Sequence, residues 1–134
     1  MRGAVFIPGP VGFDHCLKRP AFLRQGVFAF HVVAVEASAW RLGLVIPKRF
    51  EQSAVARNSI KRRWREAFRV RRSAWADEFG GADLVIRMTA PLVPKRDPKA
   101  AVATPALTAQ QRARFDAGGL LTTFAERMRK RRPA

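Results

Sequence analysis

The chain has 134 residues, and its 26 Lys and Arg stand against 10 Asp and Glu, for a formal net charge of +16. This length predicts one domain, and a hydrophobic fraction of 48% argues against a wholly disordered basic tail. The single cysteine, Cys16, excludes a disulfide framework and a zinc knuckle. With neither a signal-peptide pattern nor a membrane-spanning apolar run, we expect a cytoplasmic protein whose excess charge is neutralised by a polyanion.

The first half of the chain predicts an arm, a short helix and two strands. Residues 1–18 contain Gly and Pro and predict an irregular arm, whereas residues 20–25 predict a short helix that ends at Gly26. The aromatic and β-branched residues of 27–35 predict a strand, and residues 40–46 predict a second. Because only a turn separates these strands, we expect them to pair as a hairpin.

The second half predicts one long helix, one strand and a loop. The long helix runs over residues 53–78 and ends at Gly80 and Gly81. Residues 83–88 predict a third clear strand, and the four prolines of residues 91–105 predict an extended loop.

A final helix is predicted from Thr108, because Thr108 and Gln111 have the spacing of a capping box. Its apolar side consists of Phe115, Leu121, Phe124 and Met128. Interleaved helices and strands around one small sheet predict an α+β domain. We place that domain at residues 17–130, with a Pro-rich loop at 91–106, an irregular arm at 1–16 and a basic tail at 131–134.

The charge is concentrated in the long helix. Residues 57–72 contain eight basic residues and one acid, Glu66, a local net charge of 8 − 1 = +7. On a helical wheel, an apolar side lies next to a basic stripe. The apolar side consists of Ile60, Trp64, Ala67, Phe68 and Trp75, and the basic stripe of Asn58, Lys61, Arg62, Arg65, Arg69 and Arg72. Since like charges at i and i+4 destabilise a helix, the stripe favours a bound nucleic-acid backbone over an ordinary solvated face.

The order of residues within this helix is specific. Residues 57–69 read Arg-Asn-Ser-Ile-Lys-Arg-Arg-Trp-Arg-Glu-Ala-Phe-Arg, which resembles the signature of the bacterial ribonuclease P protein subunit at all eight specified positions. Residues 41–49 resemble the preceding strand of that family and its basic exit, and residues 83–87 resemble the strand that follows. The resemblance covers residues 17–91, in the order of the family.

The resemblance implies both a fold and a role. The implied fold is a single small α+β domain with a mixed sheet of three to four strands, related to a domain of a small-subunit ribosomal protein. The basic helix is expected to connect two strands of this sheet in a left-handed βαβ crossover. The implied role is that of an accessory subunit that joins a catalytic RNA and precursor tRNA, from which the 5′ leader is removed. Hydrolysis is then expected from the RNA and its Mg²⁺ ions, and no protein partner or protein-bound cofactor is implied.

The resemblance also implies two groups of site residues. Those expected to dock on the catalytic RNA are Arg57, Asn58, Lys61, Arg62, Arg65 and Arg69. Those expected to line a cleft for the single-stranded leader are Phe22, Phe28, Phe30, Lys48 and Arg49. Stacking of a base on an aromatic ring contributes about 1–3 kcal/mol and tolerates any sequence. Core packing is the alternative for the three phenylalanines, and the sequence leaves it open.

The chain shows no catalytic set and no metal-ligand set of its own. His31 lies in an apolar strand and is expected to be a satisfied core residue. Asp14, His15 and Cys16 are adjacent in sequence, and this spacing gives neither triad geometry nor a metal site. The alternatives to a ribonuclease P subunit are a structural RNA-binding protein, such as a ribosomal protein, and a DNA-binding protein.

Overall fold

The computed structural model describes residues 6–7, 9–93 and 108–131. Nine elements lie in that part of the chain, numbered in chain order. The helices are α1 (Gly9–Leu17), α2 (Ala54–Arg69), α3 (Arg72–Phe79), α4 (Ala109–Arg112) and α5 (Ala117–Lys130), and the strands are β1 (Leu23–Gln25), β2 (Phe28–Ala34), β3 (Trp40–Val45) and β4 (Ala82–Met88). The predicted loop at 91–106 and tail at 131–134 lie mostly outside the described residues.

The four strands form one mixed sheet in the order β1-β2-β4-β3. β2 pairs antiparallel with both β1 and β4, and β3 pairs parallel with β4. The predicted α+β class and the βαβ unit are therefore confirmed, whereas the predicted hairpin of residues 27–35 with residues 40–46 is wrong, because these strands are β2 and β3 and are not neighbours. β4 lies between them because Leu84, Val85 and Ile86 are all fully buried, which requires a strand covered on both faces.

Two predictions near the N-terminus are also wrong. The segment predicted as an irregular arm contains helix α1, so a domain boundary after residue 16 would divide a helix that packs on the sheet. The predicted short helix at 20–25 is instead the edge strand β1, which joins β2 through a tight turn. Gly26 adopts a φ of 56° in that turn, so glycine here serves a hairpin and not a helix end.

Both long helical predictions are divided in the structure. The helix predicted over residues 53–78 ends at Arg69 and resumes at Arg72, with neither Gly nor Pro at the break. The break turns Trp75 toward Trp40, with the ring centroids 5.0 Å apart. The capping box at Thr108 is confirmed by both of its hydrogen bonds, but it begins the short helix α4. Asp116 caps α5 separately, by accepting from the Gly119 N–H at 3.0 Å.

The sheet has two differently covered faces. The helical face, defined by Phe28, Phe30, Val32, Trp40, Leu42, Leu84, Ile86 and Met88, packs against α2, α3 and α5 in the main core. The α1 face, defined by Ala29, His31, Val33, Arg41, Gly43, Val45, Asp83, Val85 and Arg87, carries a second cluster under Cys16 and Ile7. Side chains alternate between the faces along each strand.

The α1 face is closed at its centre by two specific contacts. A Cβ on Gly43 would lie 2.7 Å from Cε1 of Phe13, so glycine is needed for that ring to rest on β3. Next to it, Arg41 donates from Nε and Nη2 to the two carboxylate oxygens of Asp83, each at 2.7 Å. The pair joins β3 to β4, and the hydrogen bond raises the pKa of Arg41.

Candidate nucleic-acid interface

The basic stripe lies on the outer side of α2, except for Arg72, which begins α3. Ser53 caps the helix by accepting from the Ala56 N–H at 3.1 Å. Ile60, Trp64 and Phe68 are each fully buried against the helical face. This packing fixes the rotation of the helix. As a result, Asn58, Arg62, Arg65 and Arg69 of the stripe are exposed, and Lys61 and Arg72 are partly exposed.

Little acidic charge compensates this stripe. Glu66 reaches Arg69 at 3.5 Å, and both side chains are two-thirds exposed, which makes the pair weak. No ion pair engages Lys61, Arg62 or Arg65 within the described residues. Elsewhere in that part of the chain, arginines do pair closely with buried or half-buried carboxylates. The stripe is therefore left as an uncompensated row of cations.

Arg57, at the start of the signature, is held in place by the backbone. Its Nη1 donates to the carbonyl oxygens of Glu51 and Gln52, at 2.8 and 3.0 Å. The Glu51 carboxylate is 97% buried and accepts two hydrogen bonds from Nε of Arg112, at 2.9 and 3.1 Å. It also accepts from the Ser53 N–H. Sequence reasoning missed Glu51, since its partner lies 61 residues away.

Phe28 and Phe30 do not line an open cleft. They are 2% and 0% exposed on the helical face, and both rings meet Trp64 edge to face at 5.0 and 5.6 Å. Phe30 also stacks on Phe124, with the ring centroids 5.6 Å apart. The expectation that they bind the leader is wrong, because the helices already cover the face to which they belong.

The other three expected leader residues are more accessible. Phe22 is partly exposed and meets Phe124 edge to face at 5.8 Å. Lys48 and Arg49 are exposed in the turn between β3 and α2, and the Arg49 guanidinium lies 4.7 Å from the Phe50 ring centroid. Lys48 and Arg49 thus add two exposed cations before the start of α2, the helix that carries the basic stripe.

A second basic surface crosses the α1 face. Arg24 of β1, Ala29 of β2 and Arg87 of β4 are in register across three strands. Arg24 is exposed and Arg87 partly exposed. The neighbouring His31 is 4% exposed, and its Nδ1 lies 3.1 Å from the Arg19 carbonyl oxygen, which makes Nδ1 the donor. Sequence reasoning missed the two arginines, because only the strand order places them on one face of the sheet, on either side of Ala29.

Only one of the two ring nitrogens of His31 has a hydrogen-bond partner among the described residues. Its Nε2 is buried and has no hydrogen-bond partner among the described residues. Burial lowers the pKa of His31, and the charges of Arg87 and Arg24 lower it further, so the imidazole is held neutral. His31 was expected to have its hydrogen bonds satisfied, yet its Nε2 remains an unpaired acceptor among the described residues, beneath this second basic surface.

Cys16 is an inert core residue on the same face. It is fully buried, its Sγ lies 3.8 Å from the Asp83 carbonyl oxygen, and burial raises the pKa of the thiol to about 11. Among the described residues, no three His, Cys, Asp or Glu side chains lie close enough to hold a metal ion. No helix in the described part of the chain is long and apolar enough to cross a membrane.

A four-stranded mixed sheet, with α1 on one face and the basic helix α2 together with α3 and α5 on the other, defines a small basic α+β domain. A similar fold occurs in the structure of the Staphylococcus aureus RNase P protein, with a TM-score of 0.56 and 20% identity. That match covers 92% of this chain and 97% of the other, and it shows the likeness of fold.

The sequence comparisons identify the family. The family model of Ribonuclease P matches residues 7–103, which is more than half of the chain, so the chain belongs to this family. The Ribonuclease P protein component of Burkholderia pseudomallei (strain 1106a) is 49% identical over 63 residues, 47% of this chain and 43% of that protein. The one from Bordetella parapertussis is 52% identical over 54 residues, 40% of this chain and 41% of that protein. The matches thus span less than half the length of these curated relatives.

Proposed function

We propose that this chain is the protein subunit of ribonuclease P. In this role it binds the catalytic RNA and the 5′ leader of precursor tRNA, and it assists the endonucleolytic removal of the leader. The observation that carries the proposal is the signature at residues 57–69, displayed as an exposed stripe with Lys61, Arg62 and Arg65 free of ion pairs within the described residues. A row of uncompensated cations on a rigid helix suits an RNA backbone.

The chemistry would belong to the RNA. Magnesium at the RNA subunit would activate the water for phosphodiester hydrolysis. The protein's contribution is electrostatic, because two polyanions must approach each other and each phosphate neutralised by Lys or Arg releases a counterion. The signature arginines and Lys61 would hold the catalytic RNA. Arg57 would offer it a guanidinium already oriented by the carbonyls of Glu51 and Gln52.

The leader would bind on the α1 face. The aromatic rings of the helical face are buried, whereas Arg24 and Arg87 cross the α1 face in register and remain accessible. A single strand lying across this surface would place its phosphates near both guanidinium groups. Phe22 and the cations Lys48 and Arg49 stay candidates for contacts at the margins of the leader path.

The test compares binding of the full-length protein to the catalytic RNA, precursor tRNA, mature tRNA, duplex DNA and ribosomal RNA at one salt concentration. A ribonuclease P subunit is expected to prefer the catalytic RNA, and in its presence to prefer precursor over mature tRNA. Equal affinity for duplex DNA would indicate a general DNA-binding protein. Preference for ribosomal RNA over all four would indicate a ribosomal protein and contradict the proposal.

A matched pair of variants tests the stripe itself. Arg65→Ala removes a stripe cation, whereas Arg63→Ala removes an exposed cation about 160° away on the same helix. Arg65→Ala is expected to reduce the slope of log affinity against log salt by about 0.7–0.9 for each phosphate that the variant no longer neutralises. Arg63→Ala should leave that slope close to wild type. Equal changes in both variants would show that only net charge matters.

A further inference from the structure

An exposed aromatic ring lies beside the basic stripe, at the outer edge of β3. Phe6 is 50% exposed, whereas the neighbouring Ile7 is 5% exposed and anchored in the second cluster. Phe6 forms a parallel bridge with Leu42, and the Ile7 N–H donates to the Leu42 carbonyl oxygen at 3.2 Å. The backbone is thus fixed at the sheet edge, and the ring is held in solvent.

A cation from the stripe covers this ring. The Arg65 guanidinium carbon lies 5.7 Å from the Phe6 ring centroid, within the range at which a cation is attracted to an aromatic face. The contact joins the segment before α1 to the middle of α2. It places a flat apolar surface and a positive charge side by side.

Phe6 differs from the other exposed apolar side chains. Val55 and Val70 are 68% and 64% exposed on or next to α2, and both are aliphatic. Neither offers a π surface, and scattered exposed aliphatic residues need no special explanation. Phe6 alone of these three combines an aromatic ring with a cation.

We propose that Phe6 and Arg65 form a stacking site for an unpaired nucleobase of the RNA that the basic stripe contacts. The base stacks on the open part of the ring, and the adjoining phosphate pairs with Arg65. Paired bases inside a helix have their faces covered by neighbours, so the site selects a bulged, looped or terminal nucleotide. The identity of the ligand as RNA rests on the proposed function, whereas the stacking role rests on the exposure of the Phe6 ring and its contact with Arg65.

The test measures the affinity of the full-length protein for the catalytic RNA, a single-stranded RNA oligonucleotide and an RNA duplex of equal length. Phe6→Ala and Phe6→Leu are each expected to weaken the first two by about five- to 150-fold, the range of one stacked base. Phe6→Trp should restore binding, because it retains a π surface. Duplex affinity and the salt slope should stay unchanged, since no charge is removed.

Three outcomes would overturn the inference. The first is that Phe6→Ala binds within twofold of the control Val55→Ala. The second is that Phe6→Leu binds like wild type, which would show that only apolar bulk matters. The third is that wild type sediments as a dimer that Phe6→Ala dissociates, since the ring would then contact a second copy.

The design separates this inference from the proposed function. Loss of binding in Lys61→Ala without loss in Phe6→Ala would contradict the stacking site alone. No loss in Lys61→Ala would instead contradict docking of RNA on the stripe. Thermal unfolding of each variant serves as the folding control, and Phe6→Ala is expected to melt close to wild type because its ring is half exposed.

Discussion

The two faces of the sheet are built from alternate residues of the same strands, yet they differ in chemistry. In β2, Phe30 faces the helices and stacks on Phe124, while the next residue, His31, faces α1 and keeps an open acceptor. In β4, Ile86 is fully buried among aromatic rings, while Arg87 reaches the surface. One face holds the molecule together, and the other combines packing with accessible charge.

This difference shows why aromatic content alone was a poor guide to the leader site. β2 is apolar on both faces, so its sequence gives no sign of which phenylalanines are covered. The covering elements decide it: α2 and α5 bury one face completely, and the shorter α1 leaves Arg24 and Arg87 accessible on the other.

The largest expected effect comes from truncating the helical face. Phe30→Ala removes a fully buried ring that contacts Trp64 and Phe124, and it should lower the free energy of unfolding by about 3–5 kcal/mol. Phe22→Ala should cost less, because Phe22 is partly exposed. Urea unfolding measures both. A Phe30→Ala variant of wild-type stability that had lost leader preference would reverse our assignment of the faces.

The next effect concerns the ion pair of the α1 face. Asp83→Asn weakens a bidentate contact whose carboxylate is 95% buried, and a loss of about 1.5–3 kcal/mol in unfolding free energy is expected. Glu78→Gln alters a comparable bidentate contact to Arg129 at the surface, where solvent screens the charges and a smaller loss is expected. Equal losses would show that burial of the Asp83 pair adds nothing.

A smaller effect on binding tests the accessible part of the α1 face. Arg24→Ala and Arg87→Ala are each expected to lower affinity for precursor tRNA by up to about fivefold, since exposed ion pairs contribute up to about 1 kcal/mol. Affinity for mature tRNA should not change, so the ratio of the two affinities measures the effect. Arg63→Ala serves as the charge-matched control. If the affinities for precursor tRNA and mature tRNA fell together, the proposal that the leader binds the α1 face would be contradicted.

The smallest effect is a pH dependence that arises from His31. Burial lowers its pKa below the ordinary 6.5, so below that pH the unfolded chain binds a proton that the folded protein resists. This group therefore makes the unfolding free energy fall as the pH drops from about 6.5 through the folded pKa. Urea unfolding above and below pH 6.5 should show a shallower fall in His31→Gln. A fall as steep in His31→Gln as in wild type would contradict the burial of His31.

Much of the architecture could be predicted from local sequence. The strands at 27–35, 40–46 and 83–88 were confirmed within two residues, because β-branched and aromatic runs bounded by turns are local signals. Within α2 the basic stripe was likewise predicted as the structure has it, since helical periodicity alone separates Ile60 and Trp64 from Lys61 and Arg65. Arg72, which was predicted on the same helix, lies beyond the helix break in α3.

The features that failed depend on long-range packing. The strand order follows from the burial of β4 on both faces. The rules that predict hairpins consider only strands that are adjacent in sequence, so they could not predict it. Helix α1 lacked a periodic signal strong enough to outweigh its Gly and Pro, and it is stabilised where Phe13 rests on Gly43. The helix break before Arg72 has no sequence marker, because the contact of Trp75 with Trp40 determines it.

Reconstitution of precursor tRNA cleavage tests the central claim most directly. The full-length protein is added to the catalytic RNA of ribonuclease P at near-physiological Mg²⁺, and the rate of 5′ leader removal is measured for wild type, Lys61→Ala and Arg63→Ala. We predict that wild type and Arg63→Ala raise the rate strongly and that Lys61→Ala requires more protein to do so. A rate left unchanged by excess wild-type protein would contradict the account.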